Sequence, residues 1–180
     1  MNRTHTGVAA LAAIGYLVAM VVTGALPQQR QRVRFEAKGV MRVAPERIAR
    51  VELARGSDRV VLVRGPGATW TREGGGALTA PLAEKLSLAV QYMHTAAPVR
   101  VLAAAELTGV DSHEFGLDRR ALSIALHADP GPVIHVRFGS RNPDDMLQYM
   151  AIEGRLEIVL MSRFVGDEWR AVADGVFTVR

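Results

Sequence analysis

Hydrophobic and polar positions divide the chain into two regimes. Residues 7–26 (GVAALAAIGYLVAMVVTGAL) run for 20 positions without a charge. As a helix that stretch would rise about 30 Å, the depth of a bilayer's hydrocarbon core. Beyond residue 44 the pattern changes to short alternating runs punctuated by Gly, Pro and Asp. Val51 and Leu53 alternate with Glu52, which predicts a strand over 48–54, with a second over 60–63 after the turn-forming Arg55-Gly56-Ser57-Asp58. Trp70 sits in a third short run at 69–71. Leu82, Leu86, Ala89, Val90 and Met93 recur at helical spacing, with Leu88 flanking. They predict an amphipathic helix over about 80–96, with Thr79 as N-cap, Pro81 in the first turn, Glu84 near the positive end of the dipole, and Pro98 closing it.

The second half reads as antiparallel sheet. Leu122, Ile124 and Leu126 alternate, as do Ile134, Val136 and Phe138 beyond the turn Asp129-Pro130-Gly131-Pro132. Strands over 147–152 and 156–160 come next, split by Glu153-Gly154. A last helix begins after Ser162 and runs to about Ala173. The fold class expected is α+β: one N-terminal transmembrane helix, then a mainly antiparallel sheet of six or so strands with about two helices. The expected division is a tail at 1–6, the transmembrane helix at 7–26, a juxtamembrane linker at 27–43 and a soluble domain at 44–180.

The apolar segment is longer than the core of a usual signal peptide, so the expectation is an anchor that stays on the chain. Its small residues, Ala9, Ala12, Ala13, Gly15 and Ala19, with Tyr16 mid-span, would let another membrane helix approach closely. Ala and Gly are also simply common in such spans. Orientation divides the arguments. Arg30, Arg32, Arg34 and Lys38 lie after the span and only Arg3 precedes it, which places the domain in the cytoplasm by the positive-inside rule. Short N-terminal anchors of this kind nevertheless usually export the domain attached to them.

Composition narrows the chemistry. The chain has no cysteine, hence no disulfide, thiolate metal site or cysteine nucleophile. Its net charge of +4 is spread as alternating signs, with no basic run interleaved with aromatics, so nucleic acid is not an expected partner. Gly65-Pro66-Gly67 and Gly74-Gly75-Gly76 lack the Lys-Ser/Thr of a phosphate loop and the spaced glycines of a dinucleotide turn. If Ile124 pairs with Phe138, His127 falls opposite His135, close enough to share a ligand, yet no third ligand is visible. Asp111-Ser112-His113-Glu114 holds the letters of a catalytic triad, but adjacent letters have the wrong geometry and read better as a helical turn. Carboxylates at Asp144, Asp145, Glu153, Glu157, Asp167 and Glu168 offer no pair distinguishable from a charged surface. Aromatic residues, one or two per element, read as core, with Trp169 also suited to a membrane or partner surface. No catalytic residue, metal ligand or cofactor is expected.

Phe115-Gly116-Leu117-Asp118, the strand after it, Phe138-Gly139, Asn142-Pro143, the strand bearing Tyr149, and Ser162-Arg163-Phe164 together resemble the domain-of-unknown-function 4340 family. The Trp70 strand, the Pro81 helix and Pro98-Val99-Arg100-Val101-Leu102 are similar as well, so the resemblance spans about residues 48–173. It implies a membrane-anchored protein, often encoded beside auxiliary parts of gliding-motility-type ABC transporters, with its domain outside a bacterial cytoplasmic membrane. It supplies no catalytic residues. The functional expectation is a non-enzymatic accessory or scaffold subunit of a larger transport, respiratory or photosynthetic membrane complex. Its partners would be other transmembrane subunits and the lipid bilayer. The alternative is a tethered ligand-binding component of an ABC transporter, which requires a concave apolar pocket.

Overall fold

The computed structural model describes residues 15–16 and 37–178. The domain is α+β, built on one eight-stranded sheet in which all neighbouring strands are antiparallel. β1 (Ile48–Arg55) and β2 (Asp58–Arg64) form a hairpin in which Arg55 faces Asp58. The two-residue loop between them uses Gly56 at φ +62°, the left-handed conformation such loops demand. β3 (Trp70–Arg72) adds an outer edge to β2. α1 (Ala80–Thr95) then carries the chain to the opposite edge, where β4 (Arg100–Leu102) pairs with β8. After two short 3-10 turns the chain re-enters mid-sheet as a meander of β5 (Leu122–Ala128), β6 (Gly131–Arg141), β7 (Leu147–Ile152) and β8 (Ile158–Ser162). It ends in α2 (Arg163–Thr178). The strand order is β3-β2-β1-β5-β6-β7-β8-β4.

Alternation decides which face is dry. Val51, Leu53, Ile124, Leu126, Val136, Phe138, Met150 and Met161 point to one side and are buried beneath the two helices. α1 meets them with Leu86, Ala89, Val90 and Met93, one stripe at i, i+3, i+4 and i+7. α2 contributes Val165, Trp169, Val172, Ala173 and Val176. Trp169 is therefore a core residue, 0% exposed, and not a membrane or partner contact. At roughly 1.5–3 kcal/mol for each large apolar side chain removed from water, this layer is the main source of stability.

Several sequence expectations require correction. The sheet has eight strands where six or so were expected. β4 is the strand that was missed: it is three residues long, and only one of its edges is paired, so it carries no period-2 signal. The last strand starts at Ile158 rather than 156, because Leu156 lies in the turn and is 82% exposed. α2 continues past Ala173 to Thr178. Thr79 takes the N-cap backbone position of α1, but its side chain makes no capping hydrogen bond, and no acidic residue lies in the first turn. The expected linker at 27–43 also overlaps the fold. Met41 is buried, and the Gly39 and Met41 amides donate to the carbonyls of His94 and Met93 at 2.9 Å, closing the end of α1.

Candidate functional site

Of the expected helix-packing residues, Ala9, Ala12, Ala13 and Ala19 lie outside the described residues, as does nearly all of the 7–26 segment. Gly15 and Tyr16 are helical, with Tyr16 68% exposed. Among the described residues no helix is long and apolar enough to cross a membrane.

An open groove of about 560 Å³ lies between the two helices. The loop before α1 (Gly75 to Thr79), the first turns of α1 (Pro81, Leu82, Lys85) and the last turns of α2 (Ala171, Gly175, Val176) wall it. Its size falls in the range of small-molecule sites. Local sequence explains its form. Gly75 and Gly76 present no side chains, and Gly175 lets Leu82 lie against α2, since a Cβ there would come within 2.7 Å of Leu82 Cδ1. Arg72 donates to the carbonyl of Val176 near the end of α2, answering the negative pole of that helix. Lys85 Nζ stands 3.7 Å from Glu168 Oε1, an ion-pair distance without a hydrogen bond.

A second candidate lies on the other face of the sheet. The Oγ of Ser123 is 2.6 Å from His135 Nε2, and His135 Nδ1 is hydrogen-bonded to Glu153 Oε2. The connectivity matches a serine–histidine–carboxylate relay. The sheet register explains it: Ala125 is directly opposite His135, so Ser123 reaches the ring diagonally across a methyl group. What such a relay needs next is a pair of N–H donors aimed at a developing oxyanion. Ser123 sits on β5 between β1 and β6, opposite Ala54 and Arg137, and backbone N–H groups there lie in the plane of the sheet rather than above the hydroxyl. The relay thus has a proton path, and the backbone amides of β5 and its two neighbours do not aim at its hydroxyl. It satisfies polar side chains on a solvated sheet face.

The same face shows where the histidine pair went. The hairpin pairs Ile124 with Val136 and Ala125 with His135, two residues from the expected register, and a one-residue shift after Leu126 sets His127 against Pro132, so His127 and His135 are not opposite. The reason is that the tight turn at Asp129-Pro130 sets the register of the whole hairpin, which alternation in the sequence does not encode. His127 Nε2 instead stands 3.3 Å from Glu52 Oε1. Glu52 also accepts from Arg50 at 3.1 Å and from Arg59. Burial pushes the Glu52 carboxyl up, but the hydrogen bonds from Arg59 and Arg50 outweigh it and hold the group below the usual carboxylate range. Among the described residues no group of three or more His, Asp or Glu is placed to hold a metal ion.

The remaining motifs serve structure. Residues 112–115 form a 3-10 turn in which Asp111 accepts from the His113 amide at 2.9 Å. Asp145 and Asp167 converge on Arg141, at 2.8 and 2.6 Å, an arginine clamp between the β6–β7 turn and α2 rather than a catalytic carboxylate pair. Sequence reading missed Gln148, a polar residue at an apolar-facing strand position and 1% exposed. Its Nε2 donates to the Gly139 carbonyl at 2.8 Å, and its Oε1 has no partner. The signal was present: a Gln between apolar neighbours in LQYMAI. At the β4 edge, Val99 and Val101 are 59% and 50% exposed, near the end of α1. Tyr92 of α1 meets Phe164 of α2 edge-on at 4.9 Å.

The chain matches no known family model, no curated protein and no solved structure.

Proposed function

We propose that this chain is a non-enzymatic accessory subunit, held in a bacterial inner membrane by residues 7–26, whose domain docks on a larger membrane protein complex. The observation that carries the reading is the β4 edge. Among the described residues no strand pairs with its outer side, and Val101 on it and Val99 just before it stand exposed. Soluble domains normally blunt such edges with charge or a covering segment, and here a single arginine, Arg100, stands between Val99 and Val101. The charge-free N-terminal segment and the resemblance to membrane-anchored proteins support the same view, with the domain outside the cytoplasmic membrane. The test is purification of the tagged chain from its native membrane in mild detergent. Stoichiometric recovery of a membrane complex, lost in Val99→Asp/Val101→Lys, is the expected result. A lone monomer from wild-type cells overturns the reading.

A second reading, a tethered ligand-binding component of a transporter, is favoured by the groove between α1 and α2, which has the size and the apolar lining such a role needs. Binding that tracks the lining of that groove would support it. A groove that stays empty in the presence of any small apolar ligand would remove it.

A further inference from the structure

We propose that the groove between α1 and α2 takes a single-chain amphiphile with an anionic head, its alkyl body against Leu78, Leu82, Ala171 and Val176 and its head at Lys85. This rests on the ligand-binding reading and adds to it the chemical class of the ligand. The body is set by the walls. Apart from Thr79, Lys85 and Arg72, the lining is aliphatic or glycine, so an alkyl segment gains by leaving water and a polar body loses its hydration without compensation. The volume of about 560 Å³ suits one chain, in the range of drug-sized ligands, and is small for a two-chain lipid.

The head is set by charge. The charged residues lining the groove, Arg72 and Lys85, are both cationic, and no carboxylate lines it. Arg72 is engaged at the Val176 carbonyl, where it offsets the negative pole of α2 and leaves Lys85 and the start of α1 to set the sign of the site. Lys85 makes no hydrogen bond, and its pairing with Glu168 at 3.7 Å leaves its donors to a head group. The first turn of α1 opens onto the same space without a side-chain cap and without an acidic residue, so its dipole adds positive potential. A cationic head would meet repulsion from Lys85 and from the α1 dipole, and a neutral head would gain less from either than an anion does.

The test uses the full chain in nanodiscs of zwitterionic phospholipid, with a diazirine-bearing alkyl carboxylate as probe. Matched probes with a trimethylammonium head and with a sugar head run beside it, and cross-links are mapped by peptide mass spectrometry. The expected result is labelling by the carboxylate probe within residues 75–85 and 171–176, displaced by unlabelled dodecanoate. Lys85→Glu should weaken that labelling about tenfold, and Ala171→Phe, which fills the groove, should abolish it. Ala77→Phe fills the same groove from the exposed loop and keeps the test valid if Ala171→Phe unfolds. Equal labelling by all three heads overturns the anionic class and leaves ligand binding standing. Displacement by phosphatidylglycerol in the disc, but not by dodecanoate, overturns the single-chain assignment. Absence of labelling in the groove by any probe overturns the inference and the ligand-binding reading together.

Discussion

Substituting Gly166 by alanine should destabilise the domain, and the loss should depend on Gln148. Gly166 lies in the first turns of α2 with Gln148 of β7 beneath it. A Cβ at 166 would come within 1.7 Å of Oε1 and 2.7 Å of Cδ of that side chain. On a surface a glutamine would swing aside at little cost. Here it is 1% exposed, and its amide nitrogen donates to the Gly139 carbonyl at 2.8 Å, so moving it strands buried polar groups. Losing that hydrogen bond costs about 1–3 kcal/mol, and overpacking about as much again, ~1–3 kcal/mol. Replacing a helical glycine by alanine returns about 1 kcal/mol. The net expectation is a loss of about 3 kcal/mol, and at about 3 °C per kcal/mol for a domain of this size the midpoint falls by about 9 °C. Thermal unfolding followed by tryptophan fluorescence reads this directly, since Trp70 and Trp169 are both buried. In a Gln148→Ala background the obstruction is gone, so the same Gly166→Ala change should stabilise by up to about 1 kcal/mol. A neutral Gly166→Ala in the wild type, or an equal loss in both backgrounds, refutes the packing argument.

Acidification tests the network around Glu52. Its carboxyl lies below the ordinary 4.5 in the folded state, against the upward push of burial, because Arg59 and Arg50 hydrogen-bond its charged form. Asp145 lies below the ordinary 3.8, chiefly through its bond to Arg141. A depressed folded value stabilises above the unfolded value and is lost as pH falls through the folded one. Stability should therefore decline as pH drops below about 4.5, and Glu52→Gln should lower the midpoint at pH 7 while converging on wild type in acid; a constant gap across that window contradicts the assignment. Ser123 should not react with a fluorophosphonate probe, because backbone amides at its mid-sheet position lie in the plane of the sheet and do not face the hydroxyl; labelling at Ser123, lost in His135→Ala, would show nucleophilic chemistry after all. Alkaline carbonate should leave the full chain in the membrane pellet and release a variant lacking residues 7–26; extraction of the full chain refutes the anchor.

Sequence reading located what alternation and helical spacing encode. β1, β5 and β7 announce themselves because Val51 and Leu53, Ile124 and Leu126, and Met150 and Ile152 each bury every second residue. The stripe of α1 is legible for the same reason. The features that escaped have no periodic signature. β4 owes its existence to β8, fifty-odd residues away along the chain. The His127 misplacement came from a hairpin register set two residues away from the expected one by the tight Asp129-Pro130 turn, a choice alternation leaves open. The candidate sites suffered most. The groove is made by three glycines and the ends of two helices, and the contact between Ser123 and His135 exists only once the register is known. Gln148 was visible as a polar letter, but its dependence on Gly166 is a matter of distances between elements remote in sequence.

The route of the chain through the sheet sets an order of assembly. The first half supplies β1 on one flank of the β5–β8 meander and β4 on the other, so it embraces the second half rather than lying beside it. On the ribosome, β1, β2, β3 and α1 emerge early and can collapse locally. Arg100 to Leu102 must then wait for Ile158 to Leu160 before it has anything to pair with. The clasp therefore closes last, after nearly the whole domain has been synthesised, and the closing contact is among the most sequence-distant in the sheet, the kind that slows folding. Until then β8 presents a bare hydrophobic rim, which makes release of truncated or stalled chains the moment of greatest aggregation hazard.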